Sequence, residues 1–277
     1  MTDFRPFTTI LPFRHAPCGS ALVMENDQYM TPAVRDYGEY SEDEVDVFRE
    51  FITRDNVVIE VGANMGLHTM ALAGLARHVV AFEPQPFIYY VLAANLALNS
   101  IPNVLALMAA CGEETTTVPV PILDPYRLQN FGGVEIKPAP SPNGAIALPC
   151  HAIDDLDLPS NITFIKLDCE GQELASLMGA KQLLADQHPT IYAEFTSHRS
   201  ELLALLRGLG YFCYRHIPNH TRASNFLQTP MPARSFASDM LLASATPLTQ
   251  PQVDNLQLYK PTTQDVLNVL TTNTSNI

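Results

Sequence analysis

The chain has 277 residues, 47% of them hydrophobic, enough for one large domain with a sizeable core. Twenty-nine acidic against 16 basic residues give a formal net charge of −13, the wrong sign for gripping phosphate backbones, so no nucleic-acid partner is expected. Five cysteines (Cys18, Cys111, Cys150, Cys169, Cys213) form no C-x-x-C pair and lie mostly in or beside apolar runs, which points to buried reduced thiols and a cytoplasmic protein.

The N-terminal stretch "MTDFRPFTTILPFRHAP" is broken by prolines before a signal-like apolar core develops. No stretch approaches the roughly 20 apolar residues of a membrane span, so the expectation is a soluble protein without an integral membrane segment. In "YGEYSEDEVDVFREFI", early acids and the apolar positions Val45, Phe48 and Ile52 predict a helix docking ahead of the first strand.

From residue 57 short apolar runs alternate with helical periodicity: "VVIEV", a helix over Gly66–Arg77, "HVVAFE", a helix over Phe87–Asn99, then "NVLALMAAC". The Pro- and Gly-rich stretch 115–150 interrupts the pattern and reads as a loop or hairpin excursion above the sheet. The alternation resumes with "TFIKLD" (163–168), a helix through "GQELASLMGAKQLLAD", "TIYAEF" (190–195), a helix in "RSELLALLRGLG", "YFCYRHI" (211–217) and "DMLLAS" (239–244). Near-continuous apolar strands require burial on both faces, so the fold class is α/β, with an open, doubly wound, mostly parallel sheet. The last two strands are joined without a helical crossover and are therefore free to pair antiparallel. Residues 246–277 are polar and poorly patterned, which predicts a partly ordered tail.

In such a sheet the ligand crevice lies beyond the carboxyl ends of the strands. Glu60 and Gly62 close the first strand and, with Asn64 and Gly66, make an E-x-G-x-N-x-G turn. Such a turn lets backbone N–H groups and a helix N-terminus approach a carboxylate; the alternative is an ordinary tight strand-to-helix turn. Glu83 ends the second strand at the spacing where nucleoside-binding folds place an acid on ribose hydroxyls, about 20 residues after the glycine turn. A dinucleotide-dependent oxidoreductase would want G-x-G-x-x-G; the spacing here is G-x-x-x-G, without the middle glycine that admits a pyrophosphate. A ligand with a ribose and no phosphate fits better, and S-adenosylmethionine (SAM) is one.

Lys166, Asp168 and Glu170 share one side of the strand "FIKLD" and its end, where buried charges are costly unless paired or used. Glu194, on the adjacent strand, opens onto the same crevice. With Asp168 it makes a two-carboxylate site able to orient a hydroxyl, accept its proton or hold a divalent cation. No further Asp or Asn follows Glu194 directly, so a metal is the disfavoured option. His198, at the start of the next helix, is either a base or a capping or surface histidine.

The segments "GEYSEDEVDVFREFITRDNVVIEVGANMGLHT", "AFEPQPFIYYVLAANLALN", "NFGG", "IDDL", "FIKLDCEGQELASLMGA" and "IYAEF", in this order, resemble the FkbM family of SAM-dependent methyltransferases over about residues 36–213. The resemblance implies the seven-stranded class I methyltransferase sheet with an antiparallel last strand. It implies that Glu60, Gly62, Asn64 and Gly66 flank the methionine part of SAM, that Glu83 binds its ribose, that Tyr40 and Glu39 cover the cofactor, and that Asp168 faces the transferring methyl. The family more often has Asp where this chain has Glu60. Its functionally known members are mostly O-methyltransferases acting on sugar or polyketide hydroxyls, so a small-molecule or glycan hydroxyl acceptor is expected. Acceptor identity is then expected to depend on the 115–150 excursion, including Tyr126, Arg127, Asn130 and Gly132, and on the 219–237 loop. The implied organisation is an extension over 1–55 whose helix covers the cofactor, a methyltransferase domain over 56–245, and the tail. A SAM-binding protein without catalytic activity is the alternative from another class.

Overall fold

The computed structural model describes residues 5–136, 143–230, 236–262 and Asp265. An antiparallel hairpin, β1 (Thr8–Pro12) with β2 (Ser20–Met24), and helix α1 (Met30–Tyr37) precede the amphipathic helix expected from the sequence, α2 (Glu42–Phe51). The alternation follows as β3 (Val57–Val61), α3 (Leu67–Leu75), β4 (His78–Phe82), α4 (Pro86–Leu98) and β5 (Val104–Leu107). The excursion carries β6 (Ala110–Cys111), β7 (Thr116–Pro121) and β8 (Ala145–His151), which form a small sheet of their own in the order β6-β8-β7. Then come β9 (Ile162–Leu167), α5 (Glu173–Met178), α6 (Lys181–Gln187), β10 (Thr190–Glu194), α7 (Arg199–Gly208), β11 (Phe212–His216), β12 (Met240–Ser244) and α8 (Gln250–Asn255).

The main sheet has seven strands in the order β11-β12-β10-β9-β3-β4-β5. Only β12 runs against its neighbours, pairing antiparallel with both β10 and β11. This is the expected α/β, doubly wound, seven-stranded architecture with an antiparallel last strand. Its strands are apolar on both faces because both are covered. Val58, Phe164 and Tyr192 pack with Phe48, Leu72 and Leu92 from α2–α4. Ile59, Ile165 and Ile191 on the opposite face pack with Leu177, Leu184 and Leu202 from α5–α7. Chain order reverses between β3 and β9, so the topological switch point lies beyond their carboxyl ends.

Four sequence expectations change in detail. The run "NVLALMAAC" is divided between two sheets, as β5 and β6. The helix expected over 171–186 breaks at Gly179, where a Cβ would sit 2.1 Å from the Gly112 carbonyl oxygen, so backbone packs directly on backbone. The tail carries a helix and packs Leu256 and Leu258 into the core beside α2 and the sheet, and Tyr259 bridges to Arg215; residues 263–264 and 266–277 lie outside the described residues. All five cysteines are free, but Cys18 is exposed. Parts of the excursion (137–142) and of the 219–237 loop (231–235) also lie outside the described residues.

Gly62 follows β3 with φ +83°, and a Cβ there would lie 1.8 Å from the Asp168 carbonyl oxygen. The tips of β3 and β9 thus touch through main chain alone. Gly62→Ala is expected to lower stability by at least about 1–3 kcal/mol from backbone conformation alone, with the clash added, as measured by chemical denaturation.

Candidate functional site

The site begins with a charge inside the sheet. Glu60 on β3 and Lys166 on β9 are register partners on adjacent parallel strands, and they are 0% and 1% exposed. Lys166 Nζ donates to Asp168 Oδ2 at 3.0 Å, two residues further along the same face. Glu44 of α2 faces it from above the sheet, one of its oxygens accepting from Ser41 Oγ at 2.7 Å. Burial works against the Lys166 ammonium, but Asp168, Glu60 and Glu44 outweigh it and hold its pKa above that of free lysine. Glu60 Oε2 accepts from Thr69 Oγ1 on α3 at 2.6 Å, while Oε1 has no partner. Burial dominates there and raises the Glu60 carboxyl to about 7 against the pull of Lys166.

Two turns bring the remaining acids to the crevice. After β3, Gly62 and Asn64 take positive φ, and Asn64 N–H donates to Glu83 Oε2 at 2.9 Å. Gln85 N–H donates to Glu83 Oε1 at 2.8 Å, so main chain fixes the carboxylate at the tip of β4. Burial raises Glu83 to about 7. After β9, Glu170 and Gly171 take positive φ, and the turn is pinned by buried Glu173, which accepts from Cys169 N–H (2.9 Å) and Gly171 N–H (3.0 Å). Glu170 is raised to about 7 by burial and then by Asp168. Glu194, at the tip of β10, is raised to about 9 by burial, then by Asp168 and Glu170.

These groups line a single cleft of about 560 Å³ at the switch point. Glu60, Gly62, Asn64, Glu83, Tyr40, Asp168, Glu170, Glu194, Asn130 and Gly132 all contribute to its walls. Gly132 lies so close to Asn64 that a Cβ would come within 2.8 Å of the Asn64 amide nitrogen, which brings the excursion against the β3 turn. The Tyr40 ring forms the roof between two imidazoles, 5.5 Å from His68 and 5.2 Å from His220. His220 shares a hydrogen bond with Ser238 Oγ at 2.8 Å.

The other residues named from sequence lie elsewhere. Gly66 caps α3, where its missing Cβ admits Leu92. The Glu39 carboxylate accepts from Arg14 Nε (2.9 Å) and Phe226 N–H (2.8 Å), away from the cleft. Tyr126 is exposed, its hydroxyl donating to the Arg5 carbonyl and its ring against Phe7; Arg127 is exposed. His198 is exposed at the start of α7 and lines a separate shallow groove with Glu113, Leu174 and Glu201. The titratable cleft residues without a sequence assignment include His68, His220, Arg199 and Asp239. Among the described residues no group of three or more His, Cys, Asp or Glu is placed to hold a metal ion, and no helix is long and apolar enough to cross a membrane.

The sequence profile of the Methyltransferase FkbM domain matches residues 60–213. No curated protein matches the chain. Among solved structures, an FkbM methyltransferase from Methylobacillus flagellatus KT is similar over 69% of this chain and 44% of its own, at 19% identity and TM-score 0.47. The chain therefore spans less than half the length of that protein. A precorrin-8W decarboxylase from Methanobacterium thermoautotrophicum aligns over 73% and 88% at 17% identity (TM-score 0.45). M. jannaschii TYW2 in complex with AdoMet aligns over 88% of both chains at 11% identity (TM-score 0.44).

Two measurements check this electrostatic arrangement. Removing the buried cation by Lys166→Met leaves carboxylates uncompensated and is expected to cost about 3–5 kcal/mol in chemical denaturation. The carboxyls of Glu44, Glu60, Glu83 and Glu170 are raised from 4.5 to about 7, and that of Glu194 to about 9. A raised carboxyl stabilises the fold fully below its unfolded pKa, and that contribution is lost as pH rises through the folded value. The Tm of the free protein should thus fall between pH 5 and 9, and Glu194→Gln should flatten the part of the curve above pH 7.

Proposed function

The chain belongs to the FkbM methyltransferase family, and from that premise we propose that it transfers the methyl group of SAM to a hydroxyl of a sugar, polysaccharide or polyketide-type acceptor. The observation that carries this reading is the convergence of Glu60, Glu83, Asp168 and Glu194, from four strand tips, on one cleft. The cleft volume suits a ligand of cofactor size. Its chemistry suits this cofactor too: Glu60 presents a buried, unpartnered oxygen to a cationic group, and Glu83, fixed by two backbone N–H groups, retains lone pairs for a ribose diol. Gly62 and Gly132 remove side-chain bulk where main chain approaches main chain or Asn64.

Bound SAM supplies an electrophilic methyl on a sulfonium. The protein's part is to hold an acceptor oxygen in line with that methyl, keep water out and manage one proton. Of the two acids beside the acceptor, Glu194 retains its proton at neutral pH, because burial and the charges of Asp168 and Glu170 disfavour its ionisation. It serves as a hydrogen-bond donor that orients the acceptor. Asp168, paired with the Lys166 ammonium, is the base that accepts the hydroxyl proton. The Tyr40 roof and the Phe236–Asp239 stretch help enclose the cleft.

Asp168→Asn is expected to depress methyl transfer from labelled SAM to the responsive member of a glycan and polyketide panel by about 100- to 10,000-fold, while calorimetry still detects S-adenosylhomocysteine binding. Loss of that binding instead would make Asp168 a cofactor ligand. S-adenosylhomocysteine, and not NADH, should raise the Tm of the wild-type protein.

A further inference from the structure

His68 is 5% exposed and lines the deep wall of the cleft, yet its Nε2 has no hydrogen-bond partner. The Tyr40 main chain favours a proton on the ring, and a neutral imidazole that carries it on the other nitrogen has Nε2 as a bare acceptor. Burial, followed by the Lys166 ammonium and the imidazoles of His15 and His220, holds the His68 pKa well below that of free imidazole, so the ring is neutral. Glu60 Oε1 is the second bare, buried acceptor on this wall. The two belong together: Thr69, the next residue after His68 on α3, donates to Glu60 Oε2 at 2.6 Å. The start of the helix is thereby held against the tip of β3.

Two desolvated acceptors lining one cleft, one of them a carboxylate, call for a ligand group with several N–H or O–H donors and a positive charge. A hydroxyl has one donor and reaches one of them. An ammonium has three and carries the charge. Resting on the reading of the cleft as a SAM site, we propose that His68 Nε2 and Glu60 Oε1 together receive the α-ammonium of the cofactor's amino-acid arm, with His68 a direct cofactor ligand. Placing a neutral imidazole there supplies an acceptor without adding a second negative charge beside Asp168 and Glu44.

The test compares S-adenosylhomocysteine with 5′-methylthioadenosine, which has the adenosyl thioether and lacks the amino-acid arm, by calorimetry on the full chain. His68→Phe keeps a ring between Tyr40 and Phe48 and removes the acceptor; it should weaken S-adenosylhomocysteine about 10- to 100-fold and leave 5′-methylthioadenosine within about twofold. His68→Gln, which restores an acceptor, should recover part of the loss. Equal weakening of both ligands would make His68 a structural residue, and unchanged affinity for both would mean that Nε2 meets only water; either result overturns the proposal. If the wild-type protein binds neither ligand, the SAM reading itself falls and this proposal with it.

Discussion

Burying the Lys166 ammonium at the centre of a parallel sheet is the constraint from which the site follows. An isolated ammonium there is untenable, so carboxylates must converge on it, and they come from three directions: Glu60 across the sheet, Asp168 along the same strand, and Glu44 from the helix above. Those three carboxylates then compete for one positive charge. Glu60 is left with an oxygen that no donor reaches and a raised pKa, a state that a cationic ligand relieves. The same pairing that makes the fold tolerable therefore leaves the cleft short of positive charge.

Geometry supports the electrostatics through two glycine-containing turns. The close approach at Gly62 brings the ends of β3 and β9 into main-chain contact, so Glu60 and Asp168 diverge from a common point instead of facing separate surfaces. Gly171 releases the chain after β9 into a turn held by Glu173, which aims Glu170 back toward Glu194. A buried carboxylate pinning backbone N–H groups is rigid, and a rigid turn keeps like charges close enough that one of them retains its proton.

Much of this was legible in the sequence because strand periodicity decides facing. On β9, Lys166 and Asp168 must share a side, and the parallel topology puts strand tips at one edge, so Glu60, Glu83, Asp168 and Glu194 could be gathered before any coordinates. His68 could not, because α3 is buried over nearly its whole circumference and has no polar face from which to orient a residue. His220 and Asp239 lie in a stretch without period, where only tertiary contacts decide what faces inward. Glu39 was misplaced for a related reason. It is one residue from Tyr40, which does line the cleft, but its carboxylate faces the other way.

That reversal explains how the roof is held. Glu39 and Glu42 are buried carboxylates flanking Tyr40 and Ser41, and they pair with Arg14 and His15 from the β1–β2 hairpin and with Arg222 from the segment after β11. Arg14, Arg49 and Arg222 share these two desolvated carboxylates, so hairpin, helix start and loop are bound to one another more firmly than their short apolar contacts would ensure. Tyr40 sits on the inner side of this knot, with His68 and His220 against its two sides. Main chain reinforces these ion pairs: Arg14 N–H donates to the Gly38 carbonyl at 2.8 Å, and Ser41 N–H to the His220 carbonyl at 2.9 Å. The acids stand on strand tips and the roof on these separate segments, so the roof can change without disturbing the sheet that carries the acids.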